Sequence, residues 1–332
     1  MIYPIITGLD IGHHSIKAVS VRLKKGQFEL ISSDEVLLPE SVFLDMNTLH
    51  MEEIIPYLSR LKTRIKRNLR QVAFSIPDSS IISKIIRLDG QLDEEETEFA
   101  IIHAFEQQTS FLADDLNIDY IAIDQRGVDS EKITNFQVFA VKKELIQARQ
   151  KCVASVGFIP ILADAHSHAL LTLWQRSVTV YPDKKNWMLI DIGHLHTIFC
   201  VISPNQQLYT KSIIFGASQL MGNRPIEYLT AVEAQDSSQF TALLSEHISR
   251  QITLYSSIHN HKIEGLWITG GGAALPGLSD VLSYELSLPI LELALSSLFH
   301  CTDQQVMRVN APASQYASAI GLALRGVEWL TK

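Results

Sequence analysis

The sequence predicts an α/β protein built as two related lobes, and three observations carry that reading. The first is a stretch used twice. Gly8-Leu9-Asp10-Ile11-Gly12-His13-His14-Ser15-Ile16 and Leu189-Ile190-Asp191-Ile192-Gly193-His194-Leu195-His196-Thr197-Ile198 both place Asp-Ile-Gly-His between apolar segments. That is the pattern of a β-hairpin with an acid ending its first strand and a glycine in the bend. A single Asp-x-Gly would be only a turn signal, but two copies in the same setting point to two lobes facing one cleft. The second is Leu266-Trp267-Ile268 opening into Thr269-Gly270-Gly271-Gly272. Glycines after a buried-type strand let a ligand approach the backbone and leave N–H groups for it. The third is size: 332 residues, 46% hydrophobic and 19% charged, exceed one ordinary core and suit two domains.

Composition excludes several classes. A net charge of −8 argues against a nucleic-acid binder. Cys152, Cys200 and Cys301 have no paired or metal-type spacing, so a disulfide scaffold is not expected and a reducing compartment is. Met1 to Thr7 is apolar without a basic flank and does not read as a signal peptide. No run approaches the ~18 apolar residues that span a bilayer. A soluble cytoplasmic protein follows, with membrane association only through a partner.

The elements follow in order. After the first hairpin, Phe28 to Ile31 predicts a third strand. Ile54, Leu58, Leu61 and Ile65 recur at helical spacing, and the cations around them (Arg60, Lys62, Arg64, Lys66, Arg67, Arg70) read as a solvated face. Val72 to Ile76 is a strand stopped by Pro77, and Ile81 to Leu88 is another. Asp93, with Glu96 three residues on, starts a helix that runs through Phe99, Ile102 and Phe105 and fades near Phe111. Strands at Ile118 to Asp124 and Asn135 to Val141 are joined by the polar loop Gln125 to Thr134. A helix from Lys143 to about Val156 ends at Gly157. Residues 84–160 therefore read as a β-α-β-β-α module inserted into the first half. Its neighbours are a first core subdomain (1–83 with 161–185), a second (186–215 with 264–332) and a short outer subdomain (216–263). Phe158 to Leu162 leads to Asp164 and a helix to about Gln175. In the second half, helices are expected near 239–257, 278–286 and 314–330, around the glycine strand-turn and a short strand at Pro289 to Glu292. The glycine run is not a Walker A loop, because no Gly-Lys-Ser/Thr follows, and its spacing is not that of the dinucleotide fingerprint.

Two Asp-x-Gly hairpins, a strand with Gly-Gly-Gly and a terminal Ala/Gly helix, in that order, resemble the actin-like ATPase superfamily, with its duplicated ribonuclease H-like lobes. The inserted module narrows the resemblance to the FtsA-like branch, and within it to the PilM family of type IV pilus assembly proteins. Supporting stretches are Gly8 to Gly12, Ala104-Phe105-Glu106-Gln107-Gln108, Val141-Lys142-Lys143-Glu144, Val156-Gly157-Phe158-Ile159-Pro160, Ile190 to Gly193, Thr269 to Leu278 and Ala319 to Gly326. FtsA-like proteins usually end in an amphipathic membrane-binding helix, whereas this sequence reaches Lys332 directly after its final core helix, as PilM-like proteins do.

The resemblance implies a cytoplasmic adaptor beneath the inner membrane, a component of a pilus, competence or secretion platform. It would bind the cytoplasmic N-terminal tail of a PilN-like membrane protein in a groove between the first core subdomain and the module. Phe74, Ile85, Ile86, Phe105 and Phe111 are the candidate groove residues. ATP with Mg would be structural or regulatory, with slow hydrolysis at most. Asp10, Gly12, His13, His14, Ser15 and Lys17 would form one phosphate turn, and Asp191, Gly193, His194, His196 and Thr197 the other. Asp10 and Asp191 would hold Mg through water, Gly270, Gly271 and Gly272 would lie under the nucleoside, and Asp164 would stand at the hinge. Two departures point to weak or lost ATP binding. Histidines flank the phosphate turns where small residues are usual, and the outer subdomain is short, with Glu233 but no nearby Lys. Convergence of the pairs 13/14, 166/168 and 194/196 would allow a transition-metal site, against which stands the simpler reading of satisfied cleft histidines. Two other classes remain as alternatives: a small-molecule kinase, with Asp164 its candidate base, and an FtsA-like filament.

Overall fold

The computed structural model describes residues 4–45, 48–89, 92–123, 133–222, 224–299 and 313–331. Most of the loop expected at 125–134, with Asp124, Cys301 and Lys332, lies outside them. The first lobe opens with β1 (Ile5–Ile11), β2 (Ser15–Lys24) and β3 (Gln27–Leu37), an antiparallel meander. β3 runs well past the expected Ile31. Its second half, Ser32 to Leu37, is mostly polar, but it pairs in register with β2, and Ser32 and Glu35 find partners there in Ser20 and Lys17. Helix α1 (Met51–Arg64) buries Ile54, Leu58 and Leu61 and keeps Arg60 and Arg64 in solvent, as its spacing dictates. Strand β4 (Gln71–Ile76) adds parallel to β1.

The chain then leaves the lobe for the inserted module: β5 (Ile82–Asp89), α2 (Glu94–Gln107), β6 (Leu116–Ile123) and β7 (Ile133–Lys142), a three-stranded antiparallel sheet in the order β5-β7-β6. Asp93 and Glu96 form a reciprocal capping box at the start of α2. The module's core is Ile86, Ile101, Phe105, Leu116, Val138 and Ala140. Helix α3 (Lys143–Ser155), expected to close the module, instead gives Cys152 and Val153 to the core of the first lobe. Strand β8 (Ile159–Ala165) returns to pair with β4, and α4 (His166–Val180) crosses towards the second lobe.

The second lobe repeats the plan with β9 (Trp187–Ile192), β10 (Thr197–Ile202) and β11 (Leu208–Ile213). After the single-turn α5 (Ser218–Met221) comes α6 (Ala234–His259), which starts five residues before the expected Gln239. Strand β12 (Gly265–Thr269), α7 (Leu278–Leu286), β13 (Ile290–Glu292) and α8 (Ala317–Thr331) complete the described chain. The two large sheets run β3-β2-β1-β4-β8 and β11-β10-β9-β12-β13. Each has three antiparallel strands followed by two parallel ones, so the duplicated motif is a duplicated topology. Helix α8 ties the lobes together. Its Leu322 and Val327 pack with Ile6 and Ala73 of the first sheet and with Ala169 of α4. A Cβ on Gly321 would lie 2.1 Å from the carbonyl oxygen of Ala169, so only glycine permits this helix approach.

Candidate functional site

The two Asp-Ile-Gly turns meet across the interlobe cleft, and each is closed in the same way. The N–H of Gly12 donates to the carbonyl of Ser15 (3.1 Å), and the N–H of Gly193 to that of His196 (2.9 Å). Beyond each turn the imidazoles touch in cross-lobe pairs. The rings of His14 and His194 lie 4.9 Å apart, those of His13 and His196 5.8 Å apart, and His13 also stacks on Phe43. The cavity between the turns is about 120 Å³, against the ~300–1,000 Å³ of pockets that take drug-sized ligands.

Eleven of the predicted residues line this cavity: Asp10, Gly12, His13, His14 and Lys17 from the first lobe, and Asp191, Gly193, His194, His196, Gly270 and Gly271 from the second. Four do not. Ser15 is fully buried and accepts from the ammonium of Lys17 (2.7 Å). Thr197 is fully buried and donates to the carbonyl of Phe215 (2.7 Å). Gly272 is buried against Ile192, where a Cβ would meet the side chain at 2.3 Å. Asp164 has both oxygens engaged. Arg325 Nε donates to one (2.6 Å), and the N–H of Ala165 donates to the other (2.8 Å), beside His168 Nδ1 (3.3 Å). Those partners outweigh burial and hold its carboxyl below the usual range, so it is a tether between β8 and α8 rather than a free base. Gly270 has an intramolecular reason of its own: with φ at +86°, its Cβ would lie 2.5 Å from the oxygen of Ile192.

The decisive residue of the cleft is His166, the first of α4. Its Nε2 lies 2.8 Å from Asp10 Oδ1. Burial alone would favour the neutral ring, but Asp10, Asp78 and Asp191 around it push its pKa up to about 9. Asp10 is held below the usual carboxylate range, with His166 and Lys17 outweighing the cost of burial. Asp191, on the other lobe, rises to about 6 because burial outweighs its attraction to His166. Asp78 accepts from both the N–H and the hydroxyl of Ser167, so it also caps α4. Arg149, reaching in from α3, is 3% exposed and donates to the carbonyl of Ser75 (3.3 Å). The cavity wall thus holds three acids (Asp10, Asp78, Asp191) and three cations (Lys17, Arg149, His166). Asp78 and Arg149 carry no motif. Only the topology brings them here.

The residues do not fit Mg with a nucleotide triphosphate. Mg²⁺ demands near-ideal octahedral oxygen ligation and keeps much of its water. Here the Asp10 carboxylate is already in contact with the His166 ring, and the imidazoles of His14 and His194 pair across the space between the turns. The histidine pairs do converge. Among the described residues, however, no group of three or more His, Cys, Asp or Glu side chains is placed to hold a metal ion.

Of the candidate groove residues, Phe74 is 2% exposed in the first lobe's core, and Ile86 and Phe105 are 1% and 0% exposed in the module's core. These three are packing residues: they point inward, where a peptide cannot reach them. Ile85 is 64% exposed and Phe111 38%. Ile121, absent from the predicted set, is 40% exposed and shares a face with Ile85, since both pair with Gln137.

Two lobes of one topology, each contributing an Asp-Gly hairpin to a shared cleft, define the class: this is an actin-like fold. Within that class, residues 8–238 and 221–327 match the family described as type IV pilus assembly protein PilM, and the chain belongs to that family. The fold is similar to that in the solved PilM-PilN type IV pilus biogenesis complex, with a TM-score of 0.74 and 17% identity over 98% of this chain and 99% of that one. It is also similar to the ethanolamine utilization protein EutJ from Carboxydothermus hydrogenoformans, with a TM-score of 0.54 and 14% identity over 98% of this chain and 90% of that one. Among the described residues no helix is long and apolar enough to cross a membrane.

Proposed function

We propose that the chain is a cytoplasmic adaptor of a type IV pilus inner-membrane assembly platform. In this role it holds the cytoplasmic N-terminal tail of a PilN-like membrane protein beside its inserted module, and its ATP binding is weak or lost. The observation that carries the adaptor reading is the outer face of the module sheet. Ile85 and Ile121 stand exposed on either side of Gln137, and this face walls a groove. Ser83, Gln137 and Phe139 lie on one side, with Tyr209, Lys211 and the 76% exposed Ile214 on the other, so this groove runs between the module and the second lobe, not between the module and the first core subdomain as the sequence suggests. An extended peptide with alternate apolar residues suits such a wall. The solved relative that shares the fold was obtained with PilN, which supports a partner of that kind.

The cleft supports the second half of the reading, since its wall carries as many cations as acids and one of them, His166, already stands against Asp10. The kinase alternative has less support, because its candidate base, Asp164, is engaged by Arg325 and by the N–H of Ala165. Calorimetric titration with a synthetic tail of the PilN-like partner tests the proposal. Binding is expected, and Ile85→Asp with Ile121→Asp should weaken it at least tenfold while circular dichroism stays unchanged. Undiminished affinity in that variant would remove the module face from the interface.

A further inference from the structure

We propose that His166 takes the place of a divalent cation at the hairpin acid of the first lobe, meeting Asp10 with a group carried by the chain itself. The inference rests on the reading that the cleft does not work through Mg-nucleotide, and it deepens that reading by naming what replaces the metal. The resemblance implies that the two hairpin acids would hold Mg through water. Here they line one cavity, and His166, the first residue of α4, lines it with them. His166 Nε2 lies 2.8 Å from Asp10 Oδ1, a distance that leaves no room for a metal and its water between the two. The ring lies in the field of Asp191 across the cleft and of Asp78. Asp78 is fixed in turn by Ser167, the next residue of α4. One helix start thus delivers both the ring that meets Asp10 and the donors that hold Asp78.

The position is also built rather than accidental. Asp10 accepts a second contact from Ser75 Oγ at 3.4 Å, and the same hydroxyl accepts from the N–H of Ile11 at 3.0 Å, so the carboxylate is held in place beside the ring. A metal arriving at Asp10 would have to displace the ring. A chain lacking the ring should expose two carboxylates facing one small polar cavity, which is the raw material of a hard-cation site.

The test is divalent-metal binding by the full chain, read by the free Mn²⁺ paramagnetic resonance signal and by melting temperature with added Mg²⁺. The unsubstituted protein is expected to leave the Mn²⁺ signal unchanged and to melt at the same temperature with and without Mg²⁺. His166→Ser should acquire Mn²⁺ affinity at least tenfold above that background, and adding Asp10→Asn should abolish the gain. Should His166→Ser fold only when Mg²⁺ or Mn²⁺ is present, that result supports the proposal directly. His166→Gln keeps an N–H donor for Asp10 and supplies a second folded variant, in which a smaller gain is expected. If no folded variant binds metal better than the parent, the proposal is wrong. It is equally wrong if the parent binds Mn²⁺ in a manner lost on Asp10→Asn. Neither result touches the adaptor reading, which stands or falls on peptide binding to the module.

Discussion

His166 and Asp10 sit 156 positions apart in the chain, yet their contact gives the cleft a definite response to pH. The ordinary pKa of the ring is 6.5, and in the fold it is about 9. Between those values the folded protein binds a proton that the unfolded chain does not, so raising the pH favours unfolding. The contribution is complete below pH 6.5 and is lost as pH rises through 9, and a shift of this size corresponds to up to about 3 kcal/mol. Asp191 acts lower on the scale. Its pKa is raised from 3.8 to about 6, so its ionisation penalises the fold above that range and is relieved as pH falls through it. Urea unfolding measured from pH 6.5 to 9.5 should show stability falling with pH, and His166→Gln should flatten the profile.

At the scale of elements, α4 packs closely against α8. Gly321 faces the backbone of Ala169, and the nearby residues of α8 (Ala317, Ala319, Leu322, Ala323) are fully buried. Gly321→Val would force the helices apart. A loss of about 3 kcal/mol or more is expected, in line with overpacking of a tight core, and would be read as a lowered melting temperature with secondary structure retained. The hairpins, the capping box of α2 and the core face of α1 were legible because each is a local pattern of neighbours. Other features depend on a register or a path that neighbours do not encode. Ile85 and Ile86 are adjacent apolar residues of one strand, and a one-residue change of face makes one of them surface and the other core. Phe74 looked equally available for contact, but β4 pairs with both β1 and β8 and is buried as a central strand. The polar half of β3 lacks a strand signature and is held by its pairing with β2.

At the scale of the whole molecule, the acids and cations that line the cleft are equal in number. Mg-ATP would bring an excess of negative charge into a space already divided among three acids and three cations, and would have to part the paired imidazoles first. Calorimetric titration with Mg-ATP is expected to show no micromolar affinity. A micromolar dissociation constant would overturn the reading of weak or lost binding. The order of motifs and the inserted module disclosed the architecture, because order survives where side chains change. The cleft itself was half legible. The hairpin residues line it as their motif implies, whereas Asp78 and Arg149 enter from a one-turn 3₁₀ segment after β4 and from α3, which topology alone brings to the site.

The packing of α8 against β1 and β4 has a consequence for the order in which the protein can be made. Ile6 and Ala73 leave the ribosome early, but the residues that cover them, Leu322 and Val327, emerge only after the whole second lobe. The part of the first sheet that α8 covers must therefore wait for nearly the entire length of synthesis. Such long-range closure slows folding and leaves apolar surface open to wrong partners. During that interval the nascent first lobe is the part of the molecule most in need of chaperone cover.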